Sequence, residues 1–135
     1  MTDIASSAFS SRRRSIAYWV ATALVVFELA WGGIWDVLRV AQVRSLIEQL
    51  GYPHYFLVIL GVWKLLGAVA LAIPRFPRLK EWAYAGVLFD LTGAVASLSA
   101  SGLISVGTLA YPIIMIGVAI ASWALRPPSR RLDLR

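Results

Sequence analysis

The sequence predicts an all-α integral membrane protein, a four-transmembrane-helix bundle built as one membrane domain over residues 1–135. Hydrophobic residues make up 59% of the 135 residues before glycine is counted, and charged residues only 15%. A soluble domain has roughly 45–50% apolar residues with glycine included, and about 25% charged residues. The composition therefore argues against a soluble domain, and the same hydrophobic excess excludes a disordered chain.

Four apolar runs are each long enough to cross a bilayer, since a helical span needs about 20 apolar residues. They cover residues 16–35, 55–73, 82–100 and 103–125. Turn-forming residues separate the runs, with Gly51 and Pro53 before the second and Ser101-Gly102 between the third and fourth. Because lipid offers backbone groups no hydrogen-bond partner, we expect each run to be a helix.

A further segment, residues 37–50, has the pattern of a short amphipathic helix. Its apolar residues recur at helical spacing and its other face is polar. The apolar positions are Val40, Val43, Ile47 and Leu50. We predict an interfacial helix between the first and second membrane helices. It would serve either as a lid over the space between the spans or as a connector that packs on the bundle.

Lys and Arg residues are concentrated on one side of the predicted membrane. Ten fall on that side, and only Arg39 and Arg44 fall on the other. Because basic loops stay in the cytoplasm, we predict an N-in/C-in protein of the bacterial inner (cytoplasmic) membrane with both termini cytoplasmic. Contact with anionic lipid explains the net charge of +6, so no nucleic-acid partner is expected. The ten residues are Arg12, Arg13, Arg14, Arg75, Arg78, Lys80, Arg126, Arg130, Arg131 and Arg135.

The chain contains no cysteine and a single histidine, His54. The missing thiols exclude disulfides, Fe–S clusters and thiolate metal sites within this chain. One histidine cannot form a two-histidine metal or haem site in one subunit. We therefore predict no metal site, and we interpret His54 as an interfacial residue.

One ionisable residue lies near the middle of each of the first three apolar runs: Glu28, Lys64 and Asp90. Each costs roughly 2.5–3.5 kcal/mol at the centre of a membrane helix, so such residues face inward, pair or line a wet cavity. At a rise of about 1.5 Å per residue, Lys64 and Asp90 lie level and Glu28 lies about one turn further out. We predict that these three residues form a catalytic site near the midplane.

The charges of this predicted site do not balance, because it contains two carboxyls and one ammonium. Lys64 is expected to pair with Asp90, which lies at the same depth. The other carboxyl, assigned to Glu28, would then be held as the neutral acid and could donate a proton to an oxygen of an apolar ligand. The alternative is a structural clamp, in which Lys64 and Asp90 only hold the second helix against the third.

The residues expected to bind a ligand lie close to these charges. They are tryptophans near Glu28 and Lys64, small residues on the Asp90 face of the third helix, and polar residues on one face of the fourth helix. Small residues beside a charge leave room for a ligand or allow close helix contact. The predicted ligand-binding residues are Trp31, Trp35, Trp63, Gly86, Gly93, Thr108 and Tyr111.

Four segments carry a resemblance to a known family: LGYP at 50–53, LGVWKLLGA at 60–68, RLKEWAYAG at 78–86 and FDLTGA at 89–94. In these segments the sequence resembles the DoxX-like family of small four-helix bacterial membrane proteins. Members of the wider group resemble membrane subunits of thiosulfate:quinone oxidoreductase or of membrane redox complexes, so the resemblance implies contact with a quinone. The chain departs from that pattern because it has no cysteine to handle sulfur. It also has Ser97-Leu98-Ser99 where members often carry a histidine.

Three functions fit these observations. The first is a membrane protein that binds a lipophilic small molecule such as a quinone and acts in redox or acid/base chemistry of an isomerase or cyclase type. The second is a non-catalytic accessory or structural subunit of a membrane complex. The third is a proton-coupled carrier that works as an oligomer. The expected partners are the lipid bilayer, the lipophilic ligand, and either a second copy of the chain or a membrane redox protein.

Overall fold

The computed structural model describes residues 2–133, and within them the chain is almost entirely helical. The helices are α1 (Thr2–Leu38), α2 (Ala41–Gln49), α3 (Tyr55–Ala72), α4 (Pro77–Ala100) and α5 (Val106–Ala124), followed by a 3₁₀ turn at Pro128–Arg130. In this part of the chain, α1, α3, α4 and α5 are long and apolar enough to cross a membrane. The predicted all-helical chain with four membrane-length helices is confirmed.

The four long helices form a bundle in which α1 packs against α3 and α5, and α4 packs against the same two helices. The chain runs up and down in turn, so the start of α1, the α3–α4 turn and the end of α5 lie at one end, here called the terminal end. Arg130, for example, contacts the Tyr18 hydroxyl and the Leu71 carbonyl there. The opposite end, called the α2 end, carries α2 and the α4–α5 turn.

The helices place small and medium apolar side chains inside the bundle and many of the largest ones outside. Val25 and Leu29 of α1 pack with Leu71 of α3 in the core. Phe89 and Trp82 of α4 lie on the outer surface. This distribution suits a bundle surrounded by lipid, because the solvent of the outer surface is itself apolar.

The α1 and α3 helices approach closely where Gly33 faces Gly61. A Cβ atom added at Gly61 would lie 2.7 Å from the Gly33 carbonyl oxygen and 2.8 Å from the Val37 backbone nitrogen. Only glycine allows such a close crossing of two backbones. Asp36 and Lys64 each follow these glycines by three residues, so the crossing brings their side chains together.

The first membrane helix is longer than predicted at both ends, since α1 covers Thr2–Leu38 and the predicted span was 16–35. It ends because Arg39 takes a left-handed conformation, with φ 51°. The Arg39 and Val40 amides then bond back to the Asp36 and Trp35 carbonyls, which is a Schellman end. The predicted helix over 37–50 is therefore wrong at its start, and α2 covers Ala41–Gln49.

The third and fourth spans also differ from the predicted limits. The α4 helix starts at Pro77 instead of 82, because Pro77 favours the first turn of a helix. The α5 helix starts at Val106 instead of 103, because the Ser105 side chain caps it and accepts a hydrogen bond from the Thr108 amide. The predicted start of this span followed hydropathy and the Ser101-Gly102 turn, and neither indicates the Ser105 cap.

Some basic residues at the terminal end have structural partners as well as a topological role. Lys80 is only 1% exposed, and its ammonium donates hydrogen bonds to carbonyls at the end of α3. The buried Arg126 pairs with Glu81 at 2.6 Å and lies over the Tyr84 ring. Lys80 thus provides hydrogen bonds for the carbonyls at the end of α3, and Arg126 neutralises Glu81. The prediction that these residues act only as topology signals was incomplete.

Candidate functional site

A cavity of about 500 Å³ lies between the long helices at the α2 end, and we call it the main cavity. All five α-helices contribute to it, and α2 covers it from the outside. The roof residues on α2 and just after it are Val43, Leu46, Ile47 and Leu50. The volume is within the roughly 300–1,000 Å³ that small-molecule sites occupy. Three of the four apolar positions predicted for this segment, Val43, Ile47 and Leu50, therefore line the cavity, and Val40 does not.

Lys64 lies in the cavity wall and carries two acidic partners from two other helices. Its Nζ atom is 3.1 Å from Asp36 Oδ2 on α1 and 3.7 Å from Asp90 Oδ2 on α4. The contact with Asp90 was predicted, but the closer contact is with Asp36. One ammonium therefore links α1, α3 and α4 at the cavity wall.

Asp36 was missing from the sequence prediction, although only 4% of its surface is exposed. The predicted first span stopped at residue 35, which placed Asp36 outside the membrane. Helical spacing contained a signal that could have found it. Asp36 follows Glu28 by eight residues and Gly32 by four, so the three positions share one face of α1.

The Glu28 carboxyl and the Lys64 ammonium both lie beside Gly32. A Cβ atom added at Gly32 would be 3.5 Å from Glu28 Oε1 and 3.6 Å from Lys64 Nζ, so both polar groups come close to the same point of α1. The Tyr111 hydroxyl of α5 interacts with the Glu28 carboxyl. The site thus brings together three carboxyls and one ammonium, with a surplus of two acids where the sequence predicted one.

The predicted ligand-binding residues divide into three groups. Those that line the main cavity are Trp35, Gly93, Thr108 and Tyr111. Trp63 and Gly86 instead line a second cavity between α3 and α4. Trp31 lies on the outer surface, 51% exposed, and packs between Phe27 and Trp35.

Trp31 and Trp63 point away from the main cavity because of helical geometry. Trp63 is the direct neighbour of Lys64, and consecutive residues on a helix point about 100° apart. On α1 the cavity face follows the four-residue spacing from Glu28 to Gly32 and Asp36, which leaves Trp31 to one side. Thr108 lines the cavity, but its hydroxyl already donates to the Leu103 carbonyl in the cap of α5.

The segment between α2 and α3 is tied to α4 near the roof. The Tyr52 hydroxyl and the Ser97 hydroxyl are hydrogen-bonded at 2.8 Å, and both residues line the main cavity. The Tyr52 ring also stacks on Phe56 at 4.8 Å. His54 is exposed and pairs with Glu48 at 2.6 Å, away from the cavity. Ser97 thus joins the α2–α3 segment to α4 at the cavity wall.

The sequence was compared with protein families and with known proteins. The sequence model of the DoxX-like family matches residues 20–123. This range includes Glu28, Asp36, Lys64 and Asp90. Neither a curated protein nor a solved structure matches the chain significantly. Because the match covers well over half of the chain and agrees with the four membrane-length helices, the chain belongs to the DoxX-like family.

Proposed function

We propose that this protein binds a lipophilic small molecule, such as a quinone, in the main cavity and takes part in its acid/base or redox chemistry. One observation carries the proposal. Glu28, Asp36, Lys64 and Asp90 come from three helices and meet at the wall of a largely apolar cavity of about 500 Å³. Ionisable groups are costly inside a membrane protein, and they mark functional sites there more often than packing sites.

The side chains would have different roles in this chemistry. Glu28 is the proposed acid, because it faces the cavity and has Tyr111 beside it. It would give its proton to a carbonyl or hydroxyl oxygen of the ligand. Lys64 and Asp90 would orient that oxygen. Asp36 keeps the Lys64 charge compensated from the α1 side and acts as a positioning residue.

The position of the protein in the membrane follows from its charge pattern. We place it in the bacterial inner membrane as a single multi-pass domain, with the terminal end in the cytoplasm. The α2 helix then lies at the outer interface, above the main cavity. The basic residues of both chain ends and of the α3–α4 turn support this orientation.

The natural absence of cysteine allows a clean test of this orientation. Ser101→Cys places a thiol in the exposed α4–α5 turn, and Ser129→Cys places one in the exposed 3₁₀ turn at the terminal end. In intact spheroplasts, a membrane-impermeant maleimide is expected to label Ser101→Cys at once and Ser129→Cys only after lysis. The reverse labelling pattern would contradict the orientation.

The ligand itself can be detected by native mass spectrometry of protein taken directly from membranes. Gly93 lines the main cavity, and a Cβ atom added there meets no atom within 4 Å. Gly93→Leu should therefore fill the cavity without disturbing the bundle. We expect the unsubstituted protein to carry a lipophilic small-molecule mass that Gly93→Leu has lost.

Gly117→Leu is the matched control, because Gly117 lies on the exposed face of α5 and also has open space around its Cβ position. It lines none of the cavities described for residues 2–133. This variant should keep the bound mass. An unsubstituted protein without any such mass, or equal retention in both variants, would overturn the proposal.

A structural role is the second candidate, and one observation favours it. Lys64 bridges acids on α1 and α4, so the group could serve only as a clamp between three helices. In that case the protein would be a non-catalytic subunit. If the group is only a clamp, substitution of Asp90 will lower stability, and neither Gly93→Leu nor Gly117→Leu will change the mass spectrum. If it is a ligand site, Gly93→Leu will remove the bound mass.

A further inference from the structure

A second cavity of about 420 Å³ opens between α3 and α4 and extends from the charged group toward the terminal end. We call it the α3/α4 crevice. Its walls are apolar apart from the residues at its inner limit. They include Trp63, Gly67 and Ala70 on α3, and Trp82 and Gly86 on α4. Gly67 and Gly86 lack side chains that would fill the space, and Trp63 and Trp82 form its exposed rims.

The crevice and the main cavity share part of their walls. Leu60, Lys64 and Asp90 line both. The ionic contact between Lys64 and Asp90 therefore stands at the boundary between a polar site at the α2 end and an apolar trough that faces the surrounding lipid. A molecule that contacts this pair from the crevice would have its polar part at the boundary and its remainder in the trough.

The dimensions of the crevice suit an extended hydrocarbon chain. On α4 its lining runs from Asp90 back to Leu79, which is about 16 Å at a rise of about 1.5 Å per residue. A compact ligand would leave most of that length empty. A single extended chain would follow the α3/α4 groove from the midplane to the terminal end.

The charges favour a ligand whose head is uncharged. Three carboxyls and one ammonium meet at the boundary, so an anionic head such as a fatty-acid carboxylate or a phosphate would add to an existing surplus of acids. The Lys64–Asp90 distance of 3.7 Å exceeds the roughly 2.7–2.9 Å of a closed charge-assisted hydrogen bond. Asp36, at 3.1 Å, would keep Lys64 compensated if a head group took over its contact with Asp90.

We infer that the ligand is a single-chain amphiphile with a neutral, oxygen-bearing head at the Lys64–Asp90 boundary and a hydrocarbon tail in the α3/α4 crevice. The tail enters the crevice sideways from the lipid, and the head contacts Lys64 and Asp90 where the crevice and the main cavity share a wall. This inference rests on the proposed function, because it assumes that the main cavity binds the head. It adds the class of ligand and the direction of access.

Gly86 provides the test, because a Cβ atom added there meets no atom within 4 Å. Gly86→Leu fills the crevice and leaves the main cavity open, while Gly93→Leu fills the main cavity and Gly117→Leu fills neither. The probes are a benzoquinone with a decyl tail and its parent benzoquinone without the tail. Saturable binding of each is measured to the whole protein in lipid nanodiscs, with empty nanodiscs subtracted.

We expect Gly86→Leu to weaken the decyl probe roughly tenfold and to leave the tail-less probe unchanged within about twofold. Gly93→Leu should weaken both probes, and Gly117→Leu should weaken neither. If Gly86→Leu leaves the decyl probe at full affinity, or weakens both probes equally, the crevice does not seat the tail and the inference fails. If Gly93→Leu leaves both probes at full affinity, or if neither probe binds saturably to the unsubstituted protein, the proposed function fails as well.

Discussion

Lys64→Met is expected to lower the free energy of unfolding by about 3–5 kcal/mol, the usual cost of removing one partner from a buried ionic group. Lys64 is the cation that meets Asp36 and Asp90, and both Glu28 and Lys64 lie beside Gly32. Without the ammonium, three acids would face one another in an apolar bundle. Methionine is unbranched and only one atom shorter than lysine, so the loss reflects charge more than volume.

The unfolding of this variant can be followed by circular dichroism during titration from mild detergent into a denaturing one. Arg44→Met is the matched control, because Arg44 is an exposed cation on α2. It should change the free energy of unfolding by less than about 0.5 kcal/mol. If Lys64→Met is as stable as this control, the Lys64 ammonium does not stabilise the fold by compensating the three acids, and the prediction is wrong.

Glu28→Gln is expected to abolish conversion of the bound ligand while the protein stays folded. Glutamine has nearly the shape of the neutral acid and keeps an oxygen for Tyr111, but it has no proton to give. Loss of a positioned general acid lowers a rate by about 10²–10⁴-fold. The measurement follows the ligand found by native mass spectrometry and its product in membranes containing each variant.

The control for this prediction is Glu48→Gln, which changes an exposed glutamate of α2 that pairs with His54 outside the main cavity. Conversion should match that of the unsubstituted protein. Thermal unfolding of Glu28→Gln should stay within a few degrees of the control. If Glu28→Gln converts the ligand at full rate, Glu28 is not the acid, and the chemistry must be assigned to another group of the site.

The membrane fold was predictable from the sequence because lipid imposes a strong rule. A run of apolar residues in a bilayer has to form a helix, so the number of helices follows from composition and turns. The same rule does not set the helix ends. Those depend on local backbone chemistry, such as the left-handed Arg39 after α1 and the Ser105 cap before α5. Each shifted a predicted limit by a few residues.

Three of the four ionisable residues of the candidate site were predicted, and the omission of the fourth, Asp36, has a specific cause. Glu28, Lys64 and Asp90 were found because a charge inside an apolar run is conspicuous. Asp36 was lost because it lies at the edge of such a run, where hydropathy no longer separates membrane from loop. Asp36 lies beside Lys64 because α1 and α3 cross closely at Gly33 and Gly61. A contact between two helices cannot be predicted from the pattern of either segment alone.

The claim that Lys64 meets Asp36 and Asp90 inside the bundle can be tested most directly by a double-mutant cycle. The free energy of unfolding is measured for Lys64→Met, for Asp36→Asn with Asp90→Asn, and for the triple variant. If the groups meet, the triple variant will be more stable than the two separate losses imply, because neutral amides no longer need the ammonium. Strictly additive losses would contradict the shared ionic site.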